Sequence, residues 1–351
     1  MIFTFFLVII ASAVISYLIT PLTRNFLVSR NLVEDPIKKQ QKTHNATALY
    51  PIPRGGGIPI FISILITSLI FLPLDKHLIG ILLAALITLI VGVVDDLYDI
   101  KPIYRLSTNI LAALIVIASG IGIAFISNPF GGIIDLSFFK INFDFFGSHS
   151  IWLLSDILAL LWITWCMNIV GWSSGIEGQL PGFVSISAIF IGILGLKYSA
   201  DIAQWQVIIL AASVAGAYLG FLPFNFFPQS IMPGYSGKSL AGFLLAVLSI
   251  LSGAKLATLI FLLGVPMIDA IFVIIRRLIH RQSIFVTDGP HLHHQLLALG
   301  WSRPTIAIFY WLISLLLGII SLFLNSQQKL YALLGIVILF TGFILKVYRR
   351  T

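Results

Sequence analysis

Three carboxylates fall within five residues at Asp95-Asp96-Leu97-Tyr98-Asp99, directly after the apolar run Leu89-Ile90-Val91-Gly92-Val93-Val94. Adjacent acids leaving an apolar stretch repel each other and are costly to desolvate unless a cation or a proton is shared between them. A divalent metal, or a base acting on a phosphate, would justify them. The plainer alternative is a solvated helix end paired with Lys101 and Arg105.

Four further segments carry unusual polarity. The stretch from Asn168 to Gly182 holds four glycines, Ser174 and the side chains of Asn168, Glu177 and Gln179. Its glycines, Gly175 among them, let backbone approach a ligand closely, although glycine-rich turns also serve as plain connections. After Asn225 comes Met232-Pro233-Gly234-Tyr235-Ser236-Gly237-Lys238-Ser239, just before an apolar run. Glycines with Lys and Ser at a helix start would offer N–H groups and the positive helix end to a phosphate, though the spacing is not that of a P-loop. His291-Leu292-His293-His294 follows Arg276, Arg277, His280 and Arg281; with no Cys or well-spaced acid to complete a zinc set, contact with a diphosphate is the reading preferred. Lys38, Lys39, Lys42 and His44 precede Pro53-Arg54-Gly55-Gly56-Gly57. Attraction to anionic lipid explains those lysines and leaves the Arg-Gly-Gly-Gly run unexplained. Asp269 stands alone within an apolar stretch, where a carboxylate is a functional candidate or a partner within the bundle.

The elements that must position these residues are membrane helices. Hydrophobic residues make up 59% of the 351 and charged residues 10%, far from the quarter or so charged in soluble domains. The expected fold is an all-α polytopic bundle of about 10–11 spans forming one membrane domain over residues 1–351. The candidates are Ile2–Pro21, Ile58–Leu72, Leu78–Val94, Leu106–Ile126, Ile151–Val170, Phe183–Leu196, Val207–Phe224, Leu240–Leu251, Leu256–Ile275, Thr305–Leu324 and Leu330–Val347. The sixth and eighth are short. No basic residue precedes the first, which reads as a retained span rather than a signal peptide. On this topology sixteen of the 21 Lys and Arg fall on one side of the membrane, which predicts an outside N-terminus and a cytoplasmic C-terminus. All five polar segments fall on that basic side. Ser127–Ser150, on the other, is expected to form a small hairpin. The net charge of +8 is scattered over short loops, which argues against nucleic acid, and the single Cys166 lies in an apolar run and excludes a disulfide framework.

In their order and on their common face, these segments resemble the polyprenyl-phosphate N-acetylhexosamine-1-phosphate transferases, glycosyltransferase family 4, over nearly the whole chain. Pro266-Met267-Ile268-Asp269, Arg276-Arg277 and His291-Leu292-His293-His294 resemble the N-acetylglucosamine branch more than the muramoyl-pentapeptide branch. The resemblance implies transfer of N-acetylglucosamine 1-phosphate from a UDP-sugar to undecaprenyl phosphate at the cytoplasmic face of the plasma membrane, releasing UMP, as an early step of envelope polysaccharide synthesis. Asp95, Asp96 and Asp99 would be catalytic. His44, Arg54, Asn168, Gly175, Glu177, Gln179, Asn225, Lys238, Arg281, His291, His293 and His294 would meet substrates, with magnesium or manganese neutralising the diphosphate. A homodimer is left open.

The chain departs from the family where a metal is expected, with Ser174 where members carry Asp or Asn and Tyr235 where they carry Asp. Tyr and Ser are poor magnesium ligands beside carboxylates, so the expectation is a metal relocated toward Asp95, Asp96, Asp99 and Glu177. The rival readings are the muramoyl-pentapeptide reaction, a non-catalytic binder of lipid phosphate, and a membrane carrier.

Overall fold

The computed structural model describes residues 1–37, 50–128, 131–144, 148–197, 203–253, 256–281 and 291–348. Its helices are α1 (Ile2–Ser29), α2 (Gly57–Phe71), α3 (Lys76–Tyr98), α4 (Pro102–Ala118), α5 (Leu153–Trp172), α6 (Gln179–Lys197), α7 (Ala203–Asn225), α8 (Gly234–Leu251), α9 (Leu256–Leu262), α10 (Gly264–Ile279), α11 (Leu292–Ala298), α12 (Arg303–Phe323) and α13 (Ser326–Tyr348). Each of the eleven expected spans meets a helix. Among the described residues eight are long and apolar enough to cross a membrane, or nine if α9 and α10 count together. The chain is a multi-pass membrane protein. Helices α2 and α4 are apolar but only 15 and 17 residues long, a rise of about 22–26 Å against a hydrocarbon core of about 30 Å.

The two short spans prove central. Windows of α6 and α8 are 78% and 83% buried, against 17% for α13, so neighbours rather than lipid shield them. Small residues bring the helices close. A Cβ at Gly216 or Gly220 of α7 would overlap the α1 backbone, and one at Gly242 of α8 would strike Cys166 and Met167 of α5. Ser12 adds polar glue, donating to the Ser213 carbonyl at 2.6 Å and meeting Ser63 Oγ at 2.8 Å. Cys166 is a fully buried core residue, as its place in the sequence indicates.

Three expectations need correction. The chain is not purely helical: the described residues include three two-stranded antiparallel sheets, β1 (Val33–Glu34) with β2 (Ile52–Pro53), β3 (Phe125–Ser127) with β4 (Ile133–Asp135), and β5 (Lys140–Asp144) with β6 (Ser148–Trp152). The last two give two hairpins where one was expected. The fourth span ends at Ala118 rather than Ile126, because Ser119 caps it and Gly120, at φ +96°, turns the chain away. The ninth span is broken, with α10 bent by 82° from α9. Pro266 has no N–H for the Leu262 carbonyl, and Ser314 Oγ donates to that carbonyl at 3.2 Å instead.

At one end of the bundle, glycines let the starts of α2 and α8 meet the end of α3. A Cβ at Gly92 would overlap Cα of Ser236, and one at Gly57 would lie 2.6 Å from its Oγ. Gly92→Ala should therefore lower the thermal stability of detergent-purified protein by about 1–3 kcal/mol, the usual effect of overpacking. Thermal unfolding against Gly335→Ala, whose Cβ would meet nothing within 4 Å, checks this.

Candidate active site

Asp95 and Asp96 sit about 100° apart around α3, so they address different neighbours. Asp96, with a fully buried side chain, points at the start of α8. Its Oδ1 accepts from the Tyr235 N–H at 2.6 Å, and its Oδ2 accepts from the Ser236 N–H at 3.3 Å and the Ser236 hydroxyl at 2.6 Å. The helix start expected to cradle a phosphate thus holds a carboxylate of the protein itself. Gly234, at φ +67°, makes room, because a Cβ there would overlap that carboxylate.

Asp95 turns toward α4, where Arg105 Nε donates to its Oδ1 at 2.6 Å; its buried Oδ2 has no partner. Asp99 closes α3 in the left-handed conformation, at φ 48°, which a short polar side chain tolerates. Arg54 gathers three acids: Asp99 at 2.9 Å, Glu34 at 3.2 Å and Asp96 at 3.4 Å. The β1–β2 pair brings Glu34 there, and Pro53 and Gly56 bond to the backbone of Met232. Burial alone would lower the Arg54 pKa, but Asp96, Glu34 and Asp99 outweigh it and raise the value.

A cavity of about 440 Å³ opens beside these groups. Of the expected residues it is lined by Arg54, Asp99, Ser174, Gly175, Glu177, Asn225 and Lys238, with Glu34, Lys101, Arg105 and Gln229 added. Sequence reasoning missed the last group, apart from Lys101 and Arg105 as possible ion partners. Glu177 is held by Arg303, whose Nη1 lies 2.7 Å from both carboxylate oxygens across 126 residues of sequence. Asn225 is a staple: its Oδ1 accepts from the Gly178 N–H at 3.1 Å, while Nδ2 donates to Gln229 Oε1 and the Ile231 carbonyl.

Several expected ligands lie elsewhere. Asn168 does not line the cavity and donates back to the Thr164 carbonyl at 2.8 Å. Gln179 is fully buried at the start of α6, where Oε1 accepts from the Ile176 N–H at 3.2 Å. Arg281 is exposed at the end of α10 and outside the lining. The histidines stand behind the wall. Asp269 holds His291 Nδ1 at 2.9 Å and the Leu292 N–H at 2.8 Å, and is thus the anchor of this segment. His293 is buried against Gly175, with neither ring nitrogen hydrogen-bonded, and His294 lies beside it. His44 lies outside the described residues.

The same geometry tests the expected metal seat. Among the described residues no three His, Cys, Asp or Glu side chains converge on one point. Asp95, Asp96, Asp99 and Glu177 each face an arginine, and Ser174 Oγ donates to the Gly171 carbonyl at 2.8 Å. This donor set does not fit a relocated magnesium ion.

The fold and site define a membrane enzyme whose charged cavity lies at one end of a helix bundle. The family model for glycosyl transferase family 4 matches residues 78–253, half of the chain, and the chain belongs to that family as a sugar-phosphate transferase. It is 28% identical to the "Probable undecaprenyl-phosphate N-acetylglucosaminyl 1-phosphate transferase" of Bacillus subtilis, over 94% of this chain and 87% of that one. It is 25% identical to the decaprenyl-phosphate N-acetylglucosaminephosphotransferase of Mycobacterium tuberculosis H37Rv, over 95% and 86%. The phospho-N-acetylmuramoyl-pentapeptide-transferase of Shouchella clausii is 28% identical over 93% and 97%.

Two outcomes follow. Asp96→Ala removes one of the three acids around Arg54 and leaves two helix-start N–H groups and the Ser236 hydroxyl without their acceptor, and should destabilise the purified protein by about 3–5 kcal/mol in denaturation assays. Burial, followed by His294, His291 and Lys238, pushes His293 well below the usual histidine range. Because the folded value is depressed, its neutral form supports folding above about pH 6.5, and that support is lost as pH falls toward the folded value. Melting temperature should drop between pH 7 and pH 5, and His293→Asn should blunt the drop.

Proposed function

We propose that this transferase moves N-acetylglucosamine 1-phosphate from UDP-N-acetylglucosamine to undecaprenyl phosphate, with the cavity opening at the cytoplasmic face. The observation that carries the reading is the cavity between the ends of α3, α7 and α8, where Arg105 and Lys238 face the glycine loop of Gly175. Its volume suits a nucleotide-sugar head group. The sugar is read from the relatives in Bacillus and Mycobacterium, and the orientation from the excess of Lys and Arg on the cavity side.

In this reaction an oxygen of the lipid phosphate attacks the sugar-bearing phosphorus. The bond from that phosphorus to the bridging oxygen breaks, and UMP leaves with that oxygen. Phosphoryl transfer of this kind needs positioning and charge stabilisation more than covalent help. The side chains divide the work accordingly. Lys238 and Arg105 take phosphate charge, and Asp99, which lines the cavity together with Glu34 and Glu177, is the acid assigned to the attacking group. Asp95 orients Arg105, whereas Asp96 is committed to joining α3 to α8. Asp96, expected among the catalytic acids, is here assigned a structural role.

The resemblance to a muramoyl-pentapeptide transferase keeps that donor as the competing substrate. UMP release from UDP-GlcNAc, UDP-GalNAc and UDP-MurNAc-pentapeptide, with and without undecaprenyl phosphate, separates the readings. Release is expected with UDP-GlcNAc and only when the lipid is present. Reaction with the muramoyl donor alone would overturn the sugar, and no release from any donor would mark a non-catalytic binder or a carrier. Lys238→Met should lower kcat/KM by about 100-fold, the scale of removing one group that meets developing charge.

A further inference from the structure

We propose that the substrate diphosphate is held in this chain without a divalent cation, on an Arg105 guanidinium fixed by Asp95 and Tyr235 and assisted by Lys238. The inference rests on the reading of the cavity as a nucleotide diphosphate site. It starts from how Arg105 is built in. Its Nε donates to Asp95 Oδ1 at 2.6 Å, and its guanidinium lies 5.2 Å from the centre of the Tyr235 ring. The tyrosine is itself fixed: its backbone N–H is bound by Asp96, and its hydroxyl donates to Asn109 Oδ1 at 3.1 Å. One edge and one face of the guanidinium are thus fixed by the protein. Arg105 lines the cavity, and the four N–H donors on its two Nη atoms form the planar fork suited to phosphate oxygens. Such a group loses little freedom when it binds an anion.

The acids point the same way. Magnesium demands near-octahedral oxygen ligands and usually binds through one or two carboxylates together with substrate phosphate. Around this cavity Glu34, Asp96 and Asp99 share Arg54, Asp95 holds Arg105, and Glu177 meets Arg303 with both oxygens. A divalent ion would have to displace a guanidinium or sit against one, and like charges at contact distance repel strongly in a partly buried site. Tyr235, which has no carboxylate to offer, works instead as a positioning residue through cation–π contact.

The test uses the full chain in detergent, stripped with EDTA and titrated with UDP by calorimetry, beside UMP release from UDP-GlcNAc and undecaprenyl phosphate. Wild type should bind UDP with affinities that agree within about threefold in EDTA and in excess magnesium, and should release UMP in both. Tyr235→Ala should weaken metal-free binding about tenfold, and Tyr235→Phe, which keeps the ring, by less. UDP binding that disappears in EDTA and returns with magnesium would overturn the proposal, as would a Tyr235→Ala protein that binds as tightly as wild type. If UDP binds without metal but no UMP is released, the cation-free site stands and the transferase reading of the cavity fails. If UMP is released only with magnesium, the transferase reading stands and this proposal fails.

Discussion

The Asp96 carboxylate is buried at the end of an apolar bundle, and a charge in that position must be met from several directions at once. Two backbone N–H groups and one hydroxyl at the start of α8 meet it on one side, and Arg54 meets it on the other. Each partner constrains something larger. The contact with Tyr235 and Ser236 sets the height of α3 against α8, which is why Gly92 and Gly234 must lack a Cβ. The contact with Arg54 draws in the β1–β2 pair, whose Glu34 supplies a second acid to the same guanidinium. The end of α3, the start of α8 and the β1–β2 pair, all bordering the cavity, are therefore tied to one buried carboxylate.

That constraint sorts the charges around the cavity. Asp96 occupies the helix start, and Arg54, though it lines the cavity, is engaged by three acids. Arg105 remains on the wall, backed by Asp95 and by the Tyr235 ring. Buried pairs of this kind are weak evidence for stability, since removing both charges can be harmless. Their value here is geometric, because a guanidinium held by packing and paired charge keeps its place on the cavity wall.

Much of this was legible in the sequence, and particular residues show where legibility stopped. Hydropathy located each described helix long enough to cross a membrane, including the short α6 and α8, but also counted the shorter α2 and α4 as spans, because apolar length is a one-dimensional property. Asp99, Gly175 and Lys238, which the structure places on the cavity wall, stood out because acids, glycines and lysines at span ends are out of place in oil. Adjacency was misleading, however. Asp95-Asp96 looked like one metal-binding pair, yet successive residues on a helix diverge, and the two carboxylates serve different helices. Glu177–Arg303 and Asp269–His291 join residues 126 and 22 apart, and no spacing rule reveals such partners. Amide side chains prove to hold backbone, and of those expected to meet substrate only Asn225 also lines the cavity. Asn168, Gln179 and Asn225 each bond nearby backbone, since buried polar groups at helix ends seek a hydrogen-bond partner.

The break between α9 and α10 extends the argument to the histidines. A straight ninth span would carry Asp269 through the bilayer as a lone buried acid, an arrangement that membranes tolerate only with a partner. The 82° bend instead accompanies an Asp269 that accepts from the start of α11 and orients the His291 ring. His293 then packs on Gly175, so the position of the glycine loop depends on a proline-marked break in a helix of another part of the sequence. Glycine at position 175 is therefore required by the histidine behind it as much as by any ligand in front.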